Sequence, residues 1–173
     1  FWTKSSSDRK RGGVNVGSGT TRLHPRITNV DLAPHEHVDV VADATRLPFE
    51  DGSVDVIVSQ EAVEHVADPF LAVREMARVV RPGGRVVVLE FTRPRVPLLG
   101  AAYRFYFRRI LPALGALVSG ARNGAYRYLH DSVAAFPERE QFVAVMRDAG
   151  LAEPRFTLLT GGIAAIYRGE VRA

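Results

Sequence analysis

The chain has no cysteine among its 173 residues. Disulfides, thiolate metal centres and cysteine nucleophiles are therefore excluded. Lysine is nearly absent as well: Lys4 and Lys10 stand against 21 arginines, which are scattered along the chain. The net charge of +4 and isoelectric point of about 9.8 would suit an anionic partner. The one basic cluster, however, is Asp8-Arg9-Lys10-Arg11 in a Ser-rich stretch. It reads as a solvated tail, and no nucleic-acid partner is expected. Residues 1–12 lack the apolar run of a signal peptide or a membrane span and read as a flexible leader.

An uninterrupted apolar run of spanning length is also missing. Pro97 to Ser119 comes nearest, but it carries Arg104, Arg108 and Arg109 near its middle and Pro112 beyond them. Each arginine would cost about 2.5–3.5 kcal/mol at a bilayer centre. The segment fits a lid over a lipophilic substrate, with its arginines toward headgroups, better than a span. Tyr103, Phe105, Tyr106 and Phe107 belong to that apolar face. His24, His35 and His37 lie in loops without ligand spacing, so no metal site is expected.

What is present is one domain's worth of alternating strand and helix signals. Apolar residues make up 46% and charged residues 24%, as in ordinary globular proteins. The expected organisation is a single domain over 13–173, with 97–130 as a substrate-covering lid. Nearly continuous β-branched runs place buried parallel strands near 13–16, 27–31, 38–42, 54–59 and 85–91. Asp68 can cap a helix that Pro69 opens, with Phe70, Val73, Met76, Ala77 and Val80 on one inward face. Gly83 and Gly84 then end a strand–helix–strand unit. A second helix is expected from about Pro137 to Ala149, with Phe142, Val143 and Met146 inward and Gly150 as its stop. Arg155–Thr160 and Ile163–Gly169, joined by Gly161-Gly162, read as a hairpin. The fold class is α/β: a Rossmann-like, mostly parallel sheet with an antiparallel last strand.

Ligand-competent residues recur at the ends of successive strands. Gly17, Ser18 and Gly19 follow the first, where the backbone must turn sharply and admit a ligand. Asp31, with Leu32 after it, ends the second and could accept from both hydroxyls of a ribose. Asp43 ends the third and could accept from an adenine amino group, with the Ala44 amide reading the ring edge. Each carboxylate alone could be a loop cap; three consecutive strands ending this way point to a nucleoside cofactor. A dinucleotide does not fit. Arg22 stands where the third glycine should be, and Asp31 lies 14 positions after Gly17 rather than about 20.

On these residues the chain resembles the class I S-adenosylmethionine-dependent methyltransferases. From Arg78-Val79-Val80-Arg81-Pro82-Gly83-Gly84 and Leu89-Glu90-Phe91-Thr92 onward it is similar to the ubiquinone/menaquinone-biosynthesis C-methyltransferases. Tyr126-Arg127-Tyr128-Leu129, Ser132, Phe136-Pro137 and Gly161-Gly162-Ile163 carry the same likeness. The resemblance implies S-adenosyl-L-methionine as cofactor. Asn15, Gly17, Ser18 and Gly19 would lie by its methionine part, Asp31 and Leu32 by the ribose, and Asp43 and Ala44 by the adenine. Ser59 and Gln60 would face the amino-acid moiety and the substrate.

Three departures accompany it. Asn15 stands where an acid is usual, and only Thr20 to Arg26 remains for the first helix, which should be a turn or absent. Glu64-His65 replaces the Arg-Asn pair of the quinone-methylating enzymes.

Methyl transfer from a sulfonium is a direct displacement that depends chiefly on alignment. Oxygen or ring-carbon acceptors also gain from loss of a hydroxyl proton. His65 is the first candidate base and His130-Asp131 the second; either could instead be a local polar residue. For Glu90, capping at the sheet edge and substrate contact are equally open. The expected function is methylation of a lipophilic or aromatic small molecule, with a prenylated quinol ring carbon as the sharpest form. The alternatives are another lipid or saccharide acceptor, or a methyltransferase-fold protein without turnover. The expected setting is the cytoplasm, with peripheral contact at the inner face of a membrane; the oligomeric state is open.

Overall fold

The computed structural model describes residues 12–94 and 136–173. Seven strands form one sheet: β1 (Gly13–Val16), β2 (Ile27–Asp31), β3 (Val40–Val41), β4 (Val54–Gln60), β5 (Val80–Phe91), β6 (Leu151–Leu159) and β7 (Ala164–Val171). Their order is β3-β2-β1-β4-β5-β7-β6. All pairings up to β4–β5 are parallel, while β7 runs antiparallel to β5 and to β6. The order reverses direction at β1 and β4, which leaves a crevice beyond their carboxyl ends.

Two helices are described, α1 (Pro69–Val79) and α2 (Glu140–Asp148). Asp68 caps α1 by accepting from the Leu71 amide at 3.0 Å, and Pro69 occupies its first turn, as the sequence predicts. The inward face differs from expectation. Ala72, Val73, Met76 and Val79 are buried, whereas Phe70 is 38% exposed. Phe70 and Leu71 in the first turn are both exposed, and the buried stripe begins at Ala72. Val80 is buried as a strand residue and not as part of the helix. The helix passes straight into β5, which pairs Val54 with Val80 and resumes at Val56–Arg85 after an irregularity; the Arg-Pro-Gly-Gly stretch occupies that gap. β3 is reduced to Val40–Val41 where 38–42 is expected, because Val38 and Asp39 instead bond to a loop carbonyl and to Asn29.

α2 begins at Glu140, later than expected, because Arg139 sits at φ 57° and breaks the helical run. The Tyr167 hydroxyl accepts from the Arg139 amide at 2.7 Å, supplying the cap from across the core. Phe142 packs edge-on to Tyr167 with ring centroids 4.7 Å apart, and Phe136 lies 5.1 Å from Phe142. These rings join Val86, Val88 and Met146 in the main core. Burial pushes the Tyr167 hydroxyl up to about 12. Thr92 fastens the end of β5 to the hairpin: its amide donates to Ile163 and its hydroxyl donates to the Gly162 carbonyl at 2.8 Å.

Between β1 and β2 there is no helix, in line with the shortened connection. A side-chain network holds the loop instead. Arg22 donates to Asp39 at 2.7 Å and to the His37 carbonyl at 3.0 Å. Asn29 donates to the carbonyls of Thr21 and His37, and its amide donates to Asp39. The Asp39 carboxyl lies below the usual carboxylate range, chiefly through its Arg22 hydrogen bond.

Candidate functional site

The glycine loop is fixed by the strand beside it. The amides of Gly17 and Ser18 both donate to the Val30 carbonyl, and the Gly19 amide donates to Asp31 Oδ2 at 2.8 Å. Asp31 Oδ1 accepts from the Ala33 amide, and His35 Nε2 lies 3.9 Å from it. The glycine loop and the turn after β4 approach closely at Gly17. Its φ is +71°, and a Cβ there would lie 2.1 Å from the Cβ of Ala62, beyond β4. Only glycine allows that approach.

Asp43 is exposed at the end of the third strand's turn. Its Oδ1 accepts from both the amide and the hydroxyl of Thr45, each at 2.8 Å, and these bonds hold the carboxyl below its ordinary range. Ala44 is half-buried against the core. The loop that follows Asp43 is clamped to α1. Arg78 donates to the carbonyls of Leu47 and Phe49, to Asp51 and to Glu75, while Glu75 accepts from the Leu47 amide. Those carboxylates push the Arg78 guanidinium still further up. Leu32, next to Asp31, leaves its apolar side chain 71% exposed.

Several polar atoms around the crevice are buried without a hydrogen-bond partner: Asn15 Oδ1, Ser18 Oγ, Ser59 Oγ, Glu64 Oε2 and Glu90 Oε2. Such atoms are rare and call for a ligand or a proton. Together with the open glycine loop, the two carboxylates at adjacent strand ends and the exposed Leu32, they fit an adenosyl amino acid. Its hydroxyls, amine and apolar ring faces meet complementary groups. Gln60 ends β4, half-buried beside Leu89.

Beyond β4 the chain makes a one-turn 3-10 helix, Val63–His65. His65 is exposed, and its Nε2 lies 3.6 Å from Oε1 of buried Glu64. Burial raises the Glu64 carboxyl above its usual range, with His65 acting in the opposite direction. Glu90 is completely buried, and it caps the amides that follow β4 at the sheet's carboxyl edge. Its Oε1 accepts from the amides of Ala62 at 3.1 Å and Val63 at 2.8 Å. Burial pushes this carboxyl up to about 8, and the Glu64 charge adds to the rise.

The structure thus brings Asn15, Gly17, Ser18, Gly19, Asp31, Leu32, Asp43, Ala44, Ser59, Gln60 and His65 to the carboxyl ends of β1 to β4 and the loops beyond them. His130 and Asp131 lie outside the described residues, as does the lid expected over 97–130. Glu64 and Glu90 as a buried acidic pair escape sequence reasoning. Each is a charged residue in an ordinary-looking turn or strand end, and only their burial reveals them.

A seven-stranded sheet of this order, with β7 antiparallel and nucleoside-competent residues at its switch point, defines the class I methyltransferase fold. An S-adenosylmethionine-dependent methyltransferase of Thermotoga maritima, described as a possible histamine N-methyltransferase, superposes with a TM-score of 0.63 at 23% identity, covering 95% of this chain and 84% of its own. The model of the ubiE/COQ5 methyltransferase family matches residues 26–171, and the chain belongs to that family. It is 47% identical over 132 residues to the ubiquinone/menaquinone biosynthesis C-methyltransferase UbiE of Bdellovibrio bacteriovorus, covering 76% of this chain and 56% of that protein. It is 49% identical over 129 residues to the demethylmenaquinone methyltransferase of Thermus thermophilus, covering 75% and 58% respectively. The chain spans a little over half the length of these curated relatives.

Proposed function

We propose that the protein is an S-adenosylmethionine-dependent methyltransferase that methylates a ring carbon of a prenylated quinol. The observation that carries this reading is the series of strand ends at one crevice: a glycine loop bonded to Asp31 through Gly19, then Asp43, then the Glu64–His65 turn. Membership of the ubiE/COQ5 family and the names of its relatives support the quinol as acceptor.

When bound, the cofactor supplies an electrophilic methyl group. Asp31 holds the ribose hydroxyls, with Leu32 against the sugar and ring. Asp43 accepts from the adenine amine through Oδ2, and the Ala44 amide reads the ring edge. Asn15, Ser18, Ser59 and Gln60 surround the methionine end. His65 is the base. With Nε2 on the side of Glu64, 3.6 Å from its Oε1, Nδ1 is the nitrogen that would take the acceptor's hydroxyl proton. Loss of that proton would raise the electron density at the neighbouring ring carbon, the atom that would take the methyl group the cofactor supplies, with S-adenosylhomocysteine as the released product. The proton on that carbon would then leave to water as His65 returns its own to the oxygen, so that the aromatic ring is restored and one proton is released for each methyl group transferred. His130-Asp131 would be the alternative proton acceptor.

The lipophilic tail of such an acceptor calls for apolar cover, the role proposed for 97–130, and for contact with a membrane surface. No described helix is long and apolar enough to cross a membrane.

The test is methylation of a demethylated prenylated quinol in detergent micelles with S-adenosylmethionine. The expected result is a product heavier by one methyl on a ring carbon, lost in His65→Ala and retained at low rate in His65→Gln. No methylated quinol, with cofactor binding intact, would point to a different acceptor.

A further inference from the structure

We propose that Glu90 is a positioning residue for this site: its carboxyl fixes the Ala62–His65 turn so that one face of the turn walls the cofactor loop and the other presents the base. The inference rests on the reading of that crevice as a methyl-transfer site and extends it to a residue buried beneath it.

The connections are short and direct. The Glu61 amide, the first donor after β4, is taken by the Leu89 carbonyl, and Glu90 Oε1 accepts from the next two amides, those of Ala62 and Val63. Ala62 carries the Cβ that closes on Gly17, where any added carbon would lie 2.1 Å away. Gly17 in turn shares the Val30 carbonyl with Ser18, two residues from the Gly19–Asp31 bond. On the far side of the same turn stand Glu64 and His65, 3.6 Å apart. A displacement of a few tenths of an ångström at Ala62 would therefore reach both the cofactor loop and the base.

The charge state of Glu90 is part of the device. Glu64 faces it from the 3-10 turn as a like charge, and the donors to Glu90 are the turn amides. From β7, Tyr167 senses Glu90 together with Glu138 and Arg139 at the start of α2. No cation bonds to the Glu90 carboxyl among the described residues. A neutral Glu90 anchors the amides through its carbonyl oxygen while leaving the negative charge to Glu64, where His65 can use it.

Two near-isosteres separate this role from simple core filling. Glu90→Gln keeps a neutral carbonyl acceptor; Glu90→Met keeps the volume and loses the acceptor. The full chain is compared by amide hydrogen exchange at Ala62 and Val63 and by calorimetric titration with S-adenosylhomocysteine. The inference predicts that E90Q stays within about threefold of wild type in both. It predicts that E90M loses about tenfold or more in amide protection and in affinity, the scale of one buried hydrogen bond. Unchanged protection in E90M overturns the inference whatever the ligand does. Lost protection with unchanged affinity also overturns it, leaving a hydrogen bond of structural value alone. If E90M does not fold, Ala62→Val tests the same coupling from the turn: weakened binding supports it and unchanged binding overturns it. A wild-type chain that binds no S-adenosylhomocysteine removes the proposed function itself, an outcome distinct from equal binding by wild type and E90M.

Discussion

The two halves of the sheet are built by different means. From β4 onward, strands of 7, 12, 9 and 8 residues pack against α1 and α2. The buried rings Phe136, Phe142 and Tyr167 lie in this half. From β1 to β3 the strands have 4, 5 and 2 residues, and loops held by Arg22, Asn29 and Asp39 replace the helices. Yet this thinly supported half carries Asp31 and Asp43. The long strands and buried rings lie in one half and the candidate cofactor carboxylates in the other, joined where Gly17 meets Ala62. Among the described residues Asp43 is exposed while Asp31 is largely covered, and a ligand that bonds to both should order the loops around it.

The comparison breaks most visibly at the core. Phe142→Ala should cost about 3–5 kcal/mol of folding stability, read by denaturant unfolding, while the folded fraction keeps its affinity for S-adenosylhomocysteine. At the junction, Gly17→Ala combines overlap with Ala62 and an unfavourable backbone conformation, so a loss of about 2–4 kcal/mol is expected. Affinity should fall with it. Gly19→Ala, where an added carbon meets nothing within 4 Å, should be far milder in both measurements.

Glu90 gives the half with the long strands a pH dependence with a definite sign. Its carboxyl sits near 8 in the fold against an ordinary 4.5, so the folded chain keeps a proton that the unfolded chain releases. Stability from this group is full below about pH 4.5 and falls as pH rises toward 8, by at most about 1.4 kcal/mol per pH unit. It levels off above. Glu90→Gln should flatten that slope, measured as melting temperature against pH.

Smaller effects belong to the other half. Asp43→Ala should change stability by less than about 1 kcal/mol but weaken S-adenosylhomocysteine about tenfold, the value of one charge-assisted hydrogen bond. Arg22→Ala should cost under about 1 kcal/mol, because the Arg22–Asp39 pair is partly solvated.

Much of this was legible in the residues. β-branched runs located most of the strands, Asp68-Pro69 announced α1, and Gly161-Gly162 marked the turn before β7. The strand-end order of Gly17, Asp31 and Asp43 carried the cofactor reading, because chain order alone puts those ends at one crevice. Phe70 differs because helical periodicity sets which residues share a face, not where along the helix that face becomes covered. The late start of α2 depends on Arg139 at positive φ, held by a hydroxyl 28 positions away on β7, and no local pattern encodes that. Glu64 and Glu90 went unrecognised as a pair for the same reason. Their chemistry comes from burial and from each other, not from spacing.

The most direct test of the division between halves is a calorimetric titration of the full chain with S-adenosylhomocysteine, run in parallel on Asp43→Ala. The account predicts micromolar binding by wild type and clearly weaker binding by a variant with an unchanged melting temperature. Absence of binding at millimolar ligand, or equal binding by the two proteins, would contradict it.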